Sequence, residues 1–201
     1  MIFDDVIARL KNTINQLPAH NAHQLLAPKM RLSTKEYIKQ NPNYKTSCVA
    51  VILFPDGNTT RLLLMERPPA VNAHGGQISF PGGKRESDDI TLLDTAMREM
   101  YEEVGVNPSL VTQLGQLSDI YIPVSNFLVH PFVGYIKTVP SFNLNPLEVE
   151  SIVLPELSIF IKDELPVGRF ESRSFGWIEA PYYPFLEYKI WGATAMMISE
   201  L

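Results

Sequence analysis

The sequence predicts a mixed α/β (α+β) domain, and two observations carry that prediction. Apolar residues recur at helical spacing near both ends of the chain and once in its middle, and between these segments lie short apolar runs bounded by turn residues. No internal repeat or low-complexity tract appears, and strands interleaved with helices give this class. With 201 residues, 45% of them hydrophobic and 19% charged, the chain is long enough to bury one sizeable core. One main domain is expected over residues 41–201, with a helix and connector in residues 1–40 packing on it.

The elements follow in order. Phe3, Val6, Ile7, Leu10, Ile14 and Leu17 recur at three- and four-residue intervals, so an amphipathic helix is expected that stops at Pro18. A polar connector with Pro28 and Pro42 follows. The runs "SCVAVILF" and "TRLLLME" flank "PDGN", in which Gly57 is available for positive φ, and they read as a hairpin. "RPPAVNAHGGQISFPGG", rich in Pro and Gly, reads as a long functional loop. Past an acidic helical segment, "QLGQLSDIYI" and "FLVHPFVGYIK" give strands, "EVESIVLPELSIF" a strand leading into a short helix, and "IWGATAMMISEL" a closing helix.

Composition excludes several functions. A net charge of −5 and a pI near 5.4 give no global pull toward nucleic acid or an anionic membrane, so neither is an expected partner. No stretch is long and apolar enough to span a bilayer, and "MIFDDVIARLK" places acids where a secretory signal carries positive charge. The single cysteine, Cys48, has no internal disulfide partner, which fits a reducing, cytoplasmic location. "PGGK" fails as a phosphate-binding P-loop, because Ile78 stands where the first glycine is needed and Arg85 where Ser or Thr is needed. His20, His23, His74 and His130 show no metalloprotease spacing and read as structural or solvated.

The acidic segment carries the chemistry. Leu93, Ala96, Met97, Met100 and Val104 mark one apolar helix face, and Gly105 is placed to cap its C-terminus in a left-handed conformation. Glu99 lies three residues before Glu102 and four before Glu103, so all three carboxylates project from one side and repel by about 0.2–0.5 kcal/mol per pair. "EMYEE" alone reads as a solvated acidic face. Its context points elsewhere: a Gly-Gly loop just before the helix allows close backbone approach, and Arg98 sits beside the acids. A bound divalent cation would reverse the repulsion, and oxygen ligands without nearby His or Cys favour Mg²⁺ or Mn²⁺.

This segment resembles the Nudix box, the signature of hydrolases acting on nucleoside diphosphates linked to another moiety. "REMYEEVGV" matches the second half of the box at every specified position. In the first half, counted from Gly83, Asp89 stands where a glutamate is expected, and eight residues instead of seven separate it from Arg98. Upstream, Leu63, Leu64, Arg67, Gly76 and Phe80 through Gly83 match in register the motif that precedes the box in coenzyme A pyrophosphatases of this superfamily. Met65, Pro68 and Asn72 depart from it, Asn72 replacing a basic residue. The resemblance covers most of Cys48 to Leu201, leaves the N-terminal helix outside it, and implies a Nudix-type α/β/α sandwich with a mixed central sheet.

It also implies a reaction: hydrolysis of the central diphosphate of coenzyme A to adenosine 3′,5′-bisphosphate and 4′-phosphopantetheine, using Mg²⁺ or Mn²⁺. Glu99, Glu102 and Glu103, with the Gly82 carbonyl, are the expected metal ligands. Glu102 is the first candidate for the group that takes a proton from the attacking water, with Glu148 and Glu150 in reserve and Arg98 holding the carboxylates in place. Arg67, Gly76, Phe80, Gly83 and Lys84 are the expected substrate-binding residues, and Arg67, Lys84 and Arg85 are the cations available to a 3′-phosphate. Two other readings stay open: a Nudix hydrolase of another substrate, such as ADP-ribose, a dinucleotide or an oxidised nucleotide, and a catalytically silent Nudix-fold binding module. A homodimer is compatible with either.

Overall fold

A computed structural model describes residues 1–29, 31–69, 76–162, 164–172 and 176–201. The chain opens with three helices, α1 (Phe3–Thr13), α2 (His20–Leu26) and α3 (Thr34–Gln40). Strands β1 (Lys45–Asp56), β2 (Thr59–Leu62), β3 (Leu64–Glu66), β4 (Ile78–Ser79) and β5 (Gly82–Lys84) lead into α4 (Leu92–Val104). After it come β6 (Thr112–Gln116), β7 (Ile120–Ile122), β8 (Phe127–Tyr135) and β9 (Ser151–Val153). Two hairpins, β10 (Val167–Ser172) with β11 (Gly176–Pro181) and β12 (Tyr183–Phe185) with β13 (Tyr188–Ile190), precede the closing helix α5 (Gly192–Glu200).

The long strand β1 organises the molecule. It pairs in parallel with β8 from Lys45↔Phe127 to Leu53↔Tyr135. Its other edge is shared: β2 takes the C-terminal end at Leu53↔Leu62, and β5 takes the N-terminal end, with Ser47 opposite Lys84 and Val49 opposite Gly82. Strands β6 and β7 pair antiparallel with the far edge of β8, which makes the sheet mixed. A smaller antiparallel sheet orders β4, β3 and β9.

Period-two alternation along β1 builds two cores. Cys48, Ala50, Ile52 and Phe54 face Ala96, Met100 and Val104 of α4. Val51 and Leu53 face the other way, into a core shared with Val6, Ile7 and Leu10 of α1 and with Met196, Met197 and Ile198 of α5. Each fully buried Val, Leu, Ile, Met or Phe among them contributes about 1.5–3 kcal/mol. Helices therefore cover both faces of the sheet, as expected for the sandwich.

The hairpin at Gly57 forms with φ +58, and Gly105 caps α4 at φ +72. The structure also departs from the sequence reading in specific places. "TRLLLME" is not one strand: at Leu63 the chain leaves β2 and re-enters the second sheet as β3. The loop after Arg67 holds β4 and β5, and the polar connector holds α2 and α3, the latter started by a capping box between Ser33 and Glu36. Asn72 and His74 lie outside the described residues.

The two ends of the chain are latched together. Buried Glu200 of α5 accepts from His23 Nε2 of α2 (3.2 Å), Ser118 N (2.9 Å) and Ser118 Oγ (2.5 Å), and Ser199 Oγ donates to the Ala22 carbonyl (2.9 Å). Burial works to raise the Glu200 pKa, but the bonds from His23 and Ser118 outweigh it and hold it below the usual carboxylate range. Its stabilisation is thus present at neutral pH, above the unfolded value, and is lost as pH falls through the lowered folded value. Glu200→Ala is expected to destabilise the fold by about 3 kcal/mol, since it leaves buried His23 and two Ser118 donors without their acceptor. Urea denaturation at pH 7 measures this, and a loss under about 1 kcal/mol would show that the latch contributes little.

Candidate active site

Helix α4 starts with a capping box: Asp94 N donates to Thr91 Oγ1 (3.1 Å) and Thr91 N to Asp94 Oδ2 (2.8 Å). Its apolar face is buried against β1, so Glu99, Glu102 and Glu103 rise along the side that meets β5. The three carboxylates then part company. Glu103 is 1% exposed; its Oε2 accepts from Gly82 N (2.7 Å) and its Oε1 pairs with Arg67 Nη2 (3.1 Å). Arg67 Nη2 also donates to the Gly82 carbonyl (2.9 Å), which closes a triangle of Arg67, Gly82 and Glu103. Burial pushes the Glu103 carboxyl up to about 7, with Arg67 and the Gly82 N–H opposing and the charges of Glu99 and Glu148 adding.

Arg98 organises the other two. Its Nε and Nη2 grip the buried Asp89 carboxylate in bidentate fashion, both at 2.9 Å, while Nη1 donates to Glu99 Oε1 (3.1 Å) and Glu102 Oε2 (2.9 Å). Nη2 also reaches the Lys84 carbonyl (3.2 Å). Hydrogen bonding to Arg98 holds the Asp89 carboxyl well below the usual range against the opposing effect of burial, helped by Glu86 N and Thr95 Oγ1. Burial raises the Glu99 pKa, with Arg98 opposing. The added residue between Asp89 and Arg98 has therefore not separated them.

Glycines set how closely β5 approaches. A Cβ on Gly83 would lie 2.4 Å from the Glu99 carboxylate, and one on Gly82 would lie 2.3 Å from the Cys48 carbonyl. Glu99 thus rests on bare backbone. Glu148 follows the Asn145 turn, where Asn145 Nδ2 donates to its carboxylate (3.0 Å), and its charge is felt at both Glu99 and Glu103. Glu150 is exposed and donates its backbone N–H to the Glu66 carbonyl (2.9 Å). Arg85 donates to the carbonyls of Asp89 and Ile90, away from the carboxylates.

Among the described residues no three His, Cys, Asp or Glu side chains form a group that could hold a metal ion, and the expected ligand Glu103 has both oxygens engaged by Gly82 N and Arg67. The donor chemistry nonetheless fits a hard divalent cation. Glu99 Oε2 and Glu102 Oε1 accept no hydrogen bond among the described residues, Glu148 is close by, and the Gly83 cradle leaves room for Glu99.

A cavity of about 550 Å³ lies beside this cluster and shares Arg67 and Gly82–Lys84 with it. Phe80 lines it, and so does Trp191, which stacks on Phe170 at 4.1 Å. Gly76 (φ +69), expected at the substrate, is not among the cavity's lining residues; it stands two residues before β4, where its N–H donates to the Arg67 carbonyl (2.8 Å). Its remaining walls come from Pro28, Arg31 and Tyr37, from the β7–β8 turn, and from β10 and α5. Arg31 carries no signal in the sequence, since no local pattern brings residue 31 to this wall.

Comparison with known proteins places the chain. The NUDIX domain family matches residues 45–156. An Arabidopsis thaliana relative, "Nudix hydrolase 22, chloroplastic", is 34% identical over 77% of this chain and 53% of its own length. The "Uncharacterized Nudix hydrolase NudL" of Yersinia pestis is 31% identical over 89% of this chain and 87% of its own. The chain belongs to the Nudix family. It spans about half the length of the plant relatives (53% and 55%) and most of the bacterial one (87%). Among solved structures, the NUDIX domain of Shewanella oneidensis NrtR complexed with ADP ribose aligns at TM-score 0.49 and 17% identity, over 63% of this chain and 85% of that one. Among the described residues no helix is long and apolar enough to cross a membrane.

Proposed function

We propose that this protein hydrolyses the central diphosphate of coenzyme A, giving adenosine 3′,5′-bisphosphate and 4′-phosphopantetheine. The observation that carries the reading is the cluster of Glu99, Glu102 and Arg98 set against bare-backbone Gly82–Gly83 at the border of a cavity of about 550 Å³, a size that takes a nucleotide derivative. The coenzyme A assignment draws on Leu63, Leu64, Arg67, Gly76 and Phe80–Gly83, which match the motif in register. Family membership supports the reaction class.

Glu99, Glu102 and the Gly82 carbonyl, with Glu148 near, would hold Mg²⁺ or Mn²⁺, which when bound neutralises diphosphate charge and makes water nucleophilic at neutral pH. The chain's own groups do the rest. Water attacks one phosphorus, the bond from that phosphorus to the bridging oxygen breaks, and a carboxylate takes the water's proton. We assign that proton to Glu102, which is half exposed and tethered by Arg98, with Glu148 as the reserve. Glu103 keeps Arg67 and β5 in place, and Asp89 keeps Arg98 in place. Lys84, exposed at the border, supplies a cation to the product phosphates.

The test is a mass-spectrometric product assay with Mg²⁺ or Mn²⁺, offering coenzyme A, ADP-ribose, NADH and dinucleoside polyphosphates side by side. The expected result is 4′-phosphopantetheine ahead of every other product. Preferential cleavage of another member would retain the diphosphatase and reject coenzyme A, and silence on the whole panel would favour a binding module.

A further inference from the structure

We propose that the segment ahead of β1 builds a second anion site into the cavity wall, with Arg31 as its cation, taking a phosphate monoester on the substrate arm away from the scissile diphosphate. This rests on the reading of Gly82–Lys84 as the diphosphate site and adds to it a contact that determines specificity.

Arg31 is held in advance of any ligand. Its Nη2 donates to the Tyr121 carbonyl, its guanidinium lies over the Tyr37 ring at 5.5 Å, and Tyr37 stacks on Tyr121 at 5.3 Å. One of its five N–H donors is thereby used, and the planar fork is already oriented. Burial works against its charge. Yet Arg31 pairs with no carboxylate among the described residues, although Glu171 and Glu179 border the same hollows.

Arg67 and Arg98, by contrast, are neutralised by Glu103 and by Asp89. Both already face a carboxylate, which Arg31 does not among the described residues. Arg31 lines the main cavity and also a smaller adjoining one of about 340 Å³, and exposed Lys29 lines both as well. Two cations bordering one hollow suit a group carrying about 1.5–2 negative charges better than a single carboxylate. Ser79 and Ser172 belong to the main cavity's wall, and their buried Oγ atoms have no hydrogen-bond partner among the described residues. The same cavity runs to Gly82–Lys84, so one ligand can touch both sites.

The experiment compares kcat/KM for coenzyme A and dephospho-coenzyme A in the wild type, Arg31→Met and Arg31→Lys. Methionine keeps the apolar stem over Tyr37, and lysine keeps the charge. The wild type is expected to favour coenzyme A, and Arg31→Met to shrink that preference about tenfold, as loss of a charge-assisted bond does, with part of it restored in Arg31→Lys. A wild type without preference, or an Arg31→Met preference equal to the wild type's, overturns the proposal. A purely structural role would slow both substrates alike and leave the ratio unmoved, which also overturns it.

A binding arm separates this inference from the substrate assignment. If coenzyme A is not cleaved, calorimetry with adenosine 3′,5′-bisphosphate and AMP still decides. Tighter binding of the bisphosphate that Arg31→Met abolishes supports the anion site, and equal affinity for the two overturns it.

Discussion

Glu102→Gln is expected to lower kcat by about a hundredfold to ten-thousandfold, the range associated with loss of a positioned acid–base group, while leaving the domain folded. The Glu102 side chain is 50% exposed, and among the described residues its one ion pair is with Arg98, four residues earlier on the same helix. Such an exposed pair contributes only about 0.3–0.5 kcal/mol, so stability should be nearly unchanged. The amide preserves size and can still meet Arg98 through its oxygen. What it removes is the negative charge and the capacity to take a proton. Steady-state rates on the preferred substrate, read beside a urea denaturation curve, test this. Retention of more than about a tenth of wild-type kcat would move the proton-accepting role to Glu148.

Gly83→Ala is expected to give a folded protein slowed by about a hundredfold, the cost associated with misplacing a reacting group by an ångström. The new methyl would lie 2.4 Å from the Glu99 carboxylate, which sits at the end of a flexible side chain and can swing away. The fold has little reason to resist. Gly82→Ala makes the contrast, because there the methyl would strike the Cys48 carbonyl and Val49 Cα, at 2.3 and 2.7 Å, and backbone of the central strand must shift. The pair should therefore separate function from folding: the Gly83 variant keeps its melting temperature and loses rate, and the Gly82 variant loses both. A Gly83 variant with normal turnover would show that Glu99 is not needed where the structure puts it.

How much of this was legible in the sequence depended on the range of the interaction involved. Helix α4, its apolar face and its glycine cap follow from spacing within fifteen residues, and so does the hairpin at Gly57. Strands β4 and β5 were not legible, because they are two and three residues long and exist by pairing with β3 and β1. The same limit applies at the site. Helical spacing brought Glu99, Glu102 and Glu103 to one side as equals, yet only tertiary contact buries Glu103 against Arg67 and Gly82 while leaving Glu102 half exposed. Asp89 showed in the sequence as a departure from the box, and its bidentate grip by Arg98 depends on a turn that no local pattern specified.

The walls of the cavity divide labour along the chain. The carboxylates, their arginine and the glycine strand all fall inside the segment 45–156 that the family shares, whereas Arg31, Tyr37, β10 and α5, which shape the far side of the cavity, fall outside it. On the proposed reading, chemistry and selectivity are encoded in different stretches of the chain. On that reading, changes in the flanks would alter what the protein accepts and leave the proposed bond-breaking cluster in place. Two such proteins with matching boxes and unlike ends would share a reaction and differ in diet.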